Sequence, residues 1–304
     1  MREIKEIRDD QIRIIGKEEN KIPRYRYMLI VGLIILGVVI IAGIIYANSN
    51  RAYEISTIEE AEPVLFEKIC VTDTARNKIT WSNVDSTVAG YTEIRDTVIN
   101  DIPLKLYIPH NAQMSLHVGA IDKNDTTIIY AAQAADVRAD NGGIVGAFVL
   151  AGEPLAWGVS KKGYCASING NVTIGVAENS PLFEEATKQK GYFFRQYPLV
   201  SNGRLIDNEP KGKSIRRAIC EQDGRVFMVE TVTRESFHDF AQALVDLSID
   251  NAIYLVGSSA YGWAIDANGT KHEFGKDDYY TGRKKMPKNI SYLVWRKTPG
   301  IIEQ

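Results

Sequence analysis

Three short clusters in this 304-residue chain hold the residue types from which a binding or catalytic site is built. The first, Ala131-Ala132-Gln133-Ala134-Ala135-Asp136, closes an apolar run with small residues. Lack of bulk lets a ligand approach the backbone, and Gln133 and Asp136 supply hydrogen-bonding ends. The same smallness suits a crowded strand crossing where only alanine fits. The second is Arg216-Arg217, inside the strand-like stretch 213–220. Alternation puts one of the pair on the buried face, where an unpaired guanidinium is costly. It must meet a carboxylate (Asp136, Glu178 or Glu230) or an anionic ligand, and its planar fork grips phosphate bidentately. The third is Val256-Gly257-Ser258-Ser259-Ala260-Tyr261-Gly262-Trp263. Backbone amides around Gly257, Ser258 and Ser259 suit an anion-binding nest. Tyr261 and Trp263 are either stacking faces for a sugar or core aromatics beside an ordinary turn.

Other chemistries are excluded by what the chain lacks. There is no G-x-S-x-G elbow, no P-loop and no dinucleotide fingerprint. The four histidines share no metal-ligand spacing, and Cys70, Cys165 and Cys220 lie far apart with no CxxC. No metal and no cofactor is therefore expected. The cysteines allow one disulfide in an oxidising compartment or, equally, buried free thiols. A formal charge of −2 without a basic stripe excludes nucleic acid as a partner.

The elements that must position these clusters are mostly strands. Alternation predicts strands over 102–108 and 114–121, split by Pro109, His110 and Asn111, and further strands over 127–132, 145–150, 164–168 and 172–176. Asn169-Gly170-Asn171 is a hairpin signal. A short helix is predicted over 182–189, then strands over 192–200, 215–220 and 225–231, the last two joined by Gln222-Asp223-Gly224. Phe237, Phe240, Ala241, Leu244 and Leu247 share one face of a helix over 235–248, with Thr233 as its N-cap. Strands over 252–256 and 291–295 close the series. The fold class is α+β, with mostly antiparallel or mixed sheets and one or two packed helices, behind an N-terminal transmembrane helix.

That transmembrane helix is predicted over residues 28–46, beginning at Met28 and ending at Tyr46. The run is uncharged and spans nearly the ~30 Å hydrocarbon core at ~1.5 Å per residue. Lys21, Arg24 and Arg26 precede it and acids follow, so the N-terminus is predicted to be cytoplasmic and the remainder periplasmic or extracellular. The chain then divides into a cytoplasmic tail (1–27), the span (28–46), a lead-in (47–97) with a short helix over 63–69, a main domain (98–297) and a tail (298–304).

Taken in order, several segments resemble the phosphodiester glycosidase family. They are Ala132-Gln133-Ala134, Val145-Gly146 through Gly152, Arg195-Gln196-Tyr197-Pro198-Leu199-Val200 with Asn202-Gly203, Ile215-Arg216-Arg217-Ala218, and Asn251-Ala252-Ile253-Tyr254-Leu255-Val256-Gly257. The best-known member of that family, the lysosomal uncovering enzyme, removes N-acetylglucosamine from a sugar phosphodiester. The resemblance implies hydrolysis of sugar phosphodiesters or related envelope glycans. Arg217 and Asp136 would then be the catalytic groups, and Gln133, Arg216, Gly257, Ser258 and Ser259 would bind substrate. Two positions depart from the family pattern. Gln133 stands where the family has Asn, and Val256 where it has Asp. Hydrolysis of a glycosyl phosphodiester needs acid/base help, commonly from carboxylates, and Asp136, Asp140 and Asp266 are the substitutes nearest in sequence. A membrane-anchored hydrolase therefore competes with a degenerate, non-catalytic glycan or phosphate binder, and with a scaffold for envelope protein partners.

Overall fold

The computed structural model describes residues 78–298, together with the helical positions 28, 37 and 39–43. The chain divides into two units, 1–70 and 71–304. Among the described residues no helix is long and apolar enough to cross a membrane. The expected span lies largely outside them, as do the cytoplasmic tail, the 63–69 helix and Cys70.

The second unit is built on three antiparallel sheets. The first runs β1 (Tyr91–Ile99), β2 (Ile102–His110), β13 (Arg225–Thr231), β12 (Arg217–Gln222), β14 (Asn251–Leu255), β10 (Pro198–Ser201), β11 (Arg204–Leu205). The second runs β16 (Lys271–Phe274), β15 (Gly262–Ile265), β4 (Ile128–Gln133), β17 (Ser291–Lys297), β3 (Ala112–Val118). The third runs β6 (Glu153–Trp157), β5 (Ala147–Leu150), β9 (Tyr192–Gln196), β7 (Gly163–Ile168), β8 (Asn171–Val176). Two helices accompany them, α1 (Leu182–Lys188) and α2 (Phe237–Asp246). The result is a sheet-rich α+β fold.

The period of two along each strand sorts the core into layers. Leu104, Leu106, Ala218, Cys220, Phe227, Val229, Ala252 and Tyr254 point to one side of the first sheet, where Phe237, Phe240, Ala241 and Leu244 of α2 cover them. The alternate residues Tyr107, Ile219, Met228, Ile253 and Leu255 point the other way. There they meet Leu116, Tyr130, Phe148, Phe194 and Leu293 of the other two sheets. The first sheet is thus buried on both faces, which is why its central strands read as nearly unbroken apolar runs. On the far side of the third sheet, Ala186 of α1 packs with Val149, Ala166 and Phe193.

Several expected boundaries move, each for a physical reason. The strand expected over 192–200 is two strands in different sheets. β9 pairs with β5 and β7, β10 pairs with β14 and β11, and Tyr197 is the crossing residue. Gly163 permits the crossing, because a Cβ there would lie 2.6 Å from the Gln196 carbonyl oxygen and 2.9 Å from the Pro198 nitrogen. The long helix starts at Phe237 with Ser236, not Thr233, as its cap. Ser236 Oγ accepts the Asp239 N–H at 3.0 Å. The backbone up to Glu235 is held extended by its bridge to Ser214, so a helix cannot begin earlier. Strand structure begins at Tyr91, ahead of the expected Val98, because β1 forms a hairpin with β2 through Asn100 and Asp101, both at positive φ. β2 also continues through Pro109 to His110. Its pairing with β13 ends at Tyr107, so no ladder donor is needed from the proline.

Candidate functional site

The apolar strand β4 ends at Gln133, whose carbonyl accepts the Val256 N–H at 3.0 Å. This bond joins the end of β4 to the end of β14 and starts the loop 256–260. The rest of the loop is fastened in the same way. Gly257 N–H donates to the Tyr254 hydroxyl at 3.1 Å, Ser258 N–H to the Ile215 carbonyl at 2.8 Å, and Ala260 N–H to the Gly257 carbonyl at 3.1 Å. A Cβ on residue 257 would stand 2.2 Å from the Ile215 oxygen, so only glycine permits this approach. The amides of Val256, Gly257, Ser258 and Ala260 are therefore spent inside the protein. The exposed groups of this loop are the side chains of Ser258 and Ser259.

Arg217, the first residue of β12, lies beneath the loop and is 1% exposed. Its Nε donates to the Glu230 carboxylate, and Nη1 donates to the carbonyls of Val256 at 3.1 Å and Ala260 at 2.8 Å. Its guanidinium stacks 4.4 Å over the ring of Phe274. Of the partners foreseen for a buried arginine, it is Glu230 that it meets. Arg216 is buried as well, on the opposite face of the strand. It donates from Nε to the Glu235 carbonyl at 2.9 Å and from Nη2 to the Gly212 carbonyl at 2.7 Å, with Phe237 4.1 Å beneath it. Alternation thus buries both arginines, because each face of this sheet is covered.

Gln133 and the 256–260 loop form one wall of a cleft of about 250 Å³, and Lys276, Asp278, Tyr279 and Lys284 form the other. Lys276 N–H donates to the Ser259 carbonyl at 3.0 Å, which fastens the two walls together. Lys284 Nζ lies 3.0 Å from the Asp278 carboxylate, while Lys276 makes no ion pair among the described residues. The cleft therefore carries two ammonium groups against one carboxylate and favours an anion. Asp278 escapes a sequence reading confined to carboxylates near the motifs. Its signal is the run Asp277-Asp278-Tyr279-Tyr280 followed by Arg283-Lys284-Lys285.

The other candidates lie elsewhere. Asp136 accepts from Lys161 Nζ and, at 3.1 Å, from Gln196 Nε2, and it does not line the cleft. Lys161 Nζ also donates to Gln196 Oε1 at 3.0 Å and sits 4.5 Å from the Tyr197 ring centre. This closed cluster anchors the β9–β10 crossing. Asp140 is exposed, and hydrogen bonds from Arg138 hold its pKa down at about 2. Asp266 is held below the usual carboxylate range chiefly by its hydrogen bond with His272 at 2.8 Å. Tyr261 and Trp263 are core aromatics, packed with Ile128, Tyr292 and Val294, and offer no stacking face. Cys165 and Cys220 are free, buried thiols.

No family model matches the chain, and no curated protein matches it. Among solved structures it is similar to the catalytic domain of zebrafish N-acetylglucosamine-1-phosphodiester alpha-N-acetylglucosaminidase, in a form auto-inhibited by its pro-peptide. That likeness has 14% identity and a TM-score of 0.47, and covers 71% of this chain and 85% of that one. It is also similar to a hypothetical protein from Synechocystis, at 10% identity and a TM-score of 0.46, over 68% of this chain and 62% of that one. Likenesses this distant carry no residue roles over to this chain.

Proposed function

We propose that this chain binds an anionic sugar derivative, such as a sugar phosphate or an envelope glycan bearing one, in the cleft at the ends of β4 and β14, and does not hydrolyse it. The observation that carries this reading is the state of Arg217. A guanidinium that is 1% exposed, bonded to Glu230 and to two loop carbonyls, shapes the cleft from below rather than gripping a phosphate. Lys276 and Lys284 supply the charge that meets the anion, and Gln133, Ser258 and Ser259 offer polar contacts to sugar hydroxyls. Val256 stands where an acid would be needed, and hydrolysis of a glycosyl bond ordinarily uses two carboxylates. The proposal includes anchoring by residues 28–46, with a cytoplasmic N-terminus and the main domain outside the membrane.

One observation favours a second reading. Asp278 lines the same cleft as Ser258 and is partly buried, which suits a general acid in a hydrolase of sugar phosphodiesters.

The full-length protein in detergent tests both readings. It would be titrated calorimetrically with N-acetylglucosamine 1-phosphate and assayed for turnover of phosphodiesters of that sugar. Saturable binding that Lys276→Ala weakens about tenfold, without turnover, is the expected result. Turnover abolished by Asp278→Asn would establish the hydrolase. Neither binding nor turnover would remove both.

A further inference from the structure

A larger cavity of about 490 Å³ opens on the third sheet, lined among others by Trp157, Val159, Asn179, Phe183 and Arg195, and it shares no residue with the cleft above. Its rim is unusual for a soluble surface. Trp157, the last residue of edge strand β6, and Val159 just beyond it are each 68% exposed. An indole left in water beside a concave surface is a feature of ligand sites more than of a folded core.

Arg195, on β9, forms part of the wall and is 3% exposed. Its Nη1 donates to the carbonyls of Lys161 at 3.2 Å and Ala177 at 2.8 Å, and Nη2 to that of Glu178 at 2.7 Å. Its Nε is buried without a hydrogen-bond partner. Among the described residues no carboxylate lies within 4.0 Å of this guanidinium, whereas Arg217 has Glu230. Carbonyl dipoles solvate a buried cation but do not neutralise it, and a buried charge without a counter-charge is costly. Arg216 is also held by carbonyls, but it rests 4.1 Å above the ring of Phe237. Arg195 has a ring farther off, that of Phe193 at 5.9 Å, and it borders an open cavity.

We propose that this cavity is a second binding site, which takes a sugar unit carrying a carboxylate or phosphate, with the anion directed toward Arg195 and the sugar face against Trp157. Asn179 supplies amide hydrogen bonds to hydroxyls at the rim. The site does not depend on the reading of the 256–260 loop. Glu184 is the one acid lining the cavity, exposed on the first turn of α1. In the free protein it is the alternative counter-charge, which makes it the control.

The full-length protein is titrated with glucuronate, glucose 1-phosphate, inorganic phosphate and neutral glucose, read by calorimetry and by tryptophan fluorescence. Trp157→Ala lies on the surface and is expected to leave the melting temperature unchanged while weakening the acidic sugars about tenfold. Glu184→Gln is expected to keep or tighten binding by removing a competing charge. Glucuronate and glucose 1-phosphate both binding identifies the shared anionic-sugar chemistry, and one alone binding identifies the source of the anion. Glucose binding as tightly as glucuronate, binding of phosphate alone, or affinity unchanged by Trp157→Ala overturns the proposal. So does a Glu184→Gln protein that melts lower and fails to bind, since Glu184 would then be the partner of Arg195. These titrations are made on protein carrying Lys276→Ala, which weakens the binding proposed for the 256–260 cleft. That cleft shares no residue with this cavity, so the two sites are tested separately.

Discussion

Arg217 and Lys276 are both cations beside one cleft, and they differ in where their charge is spent. Arg217 is buried against Glu230 and holds two carbonyls of the loop, while Lys276 is exposed and unpaired among the described residues. Removing one member of a buried pair leaves the other uncompensated, at a cost of about 3–5 kcal/mol. Arg217→Met is therefore expected to lower unfolding stability on that scale in urea, and Arg217→Met with Glu230→Gln to recover part of it. Lys276→Ala is expected to change stability by less than about 0.5 kcal/mol and to act on binding alone. Equal, small effects of both substitutions would mean that Arg217 is not the strut described above. Asp136 also spends its charge within the protein, on Lys161 and Gln196 at the strand crossing, but its carboxylate is 39% exposed and so is not a buried charge like Arg217.

Among the elements, α2 illustrates how a neighbour sets a boundary. Its apolar face was legible from residue spacing, and Phe237, Phe240, Ala241 and Leu244 are buried as the spacing requires. Its start was not, because Thr233 and Ser236 are both acceptable caps in isolation. The Ser214–Glu235 bridge keeps the chain extended through Glu235 and leaves Ser236 to accept the Asp239 N–H. Ser236→Ala is expected to cost about 1 kcal/mol in chemical unfolding. Thr233→Ala, which loses one exposed contact to the Glu235 side chain, is expected to cost a few tenths at most. The reverse order would return the cap to Thr233. The 192–200 stretch teaches the same lesson. Two strands that continue one another in sequence read as one, and the bend at Tyr197 is visible only once β14 and β7 have claimed opposite ends.

For the whole molecule, ion pairs that tie distant segments together set its response to acid. Burial alone would raise the pKa of Glu93, but hydrogen bonds from Arg95 and with His110 outweigh it and the net shift is downward. Burial likewise pushes the pKa of Asp125 upward, but hydrogen bonds from Thr127 and Arg296 outweigh it and the net shift is again downward. A carboxylate with a depressed folded-state pKa stabilises fully above its unfolded value, and that contribution is lost as pH falls through the folded one. The loss is therefore expected to begin below about pH 4.5 for Glu93 and 3.8 for Asp125. Urea midpoints measured from pH 7 down to 3 are expected to hold level and then decline through this window. Glu93→Gln should narrow its gap to the unaltered protein at the acid end. A gap that widens on acidification would reverse the assigned shift.

What the sequence determined by itself is what depends on near neighbours. Period-two alternation located most strands, the period of the helix located α2, and Asn169-Gly170 and Asp223-Gly224 marked turns whose residues adopt positive φ. The resemblance brought Gln133 and the Gly257–Ser258 pair forward, and folding sets them on one cleft wall. Only the tertiary structure decided that the amides of Val256, Gly257, Ser258 and Ala260 are bonded within the protein, that both arginines are buried and that Arg217 meets Glu230 thirteen residues away. It also decided that the acid in the cleft with Ser258 is Asp278, and that Arg195 borders a cavity while no carboxylate among the described residues lies within 4.0 Å of its guanidinium. The physical reason is common to all of these. Alternation tells which face a side chain takes, but its partner is set by which strands pair across the sheet and which sheets pack together, and those contacts join residues far apart in the chain.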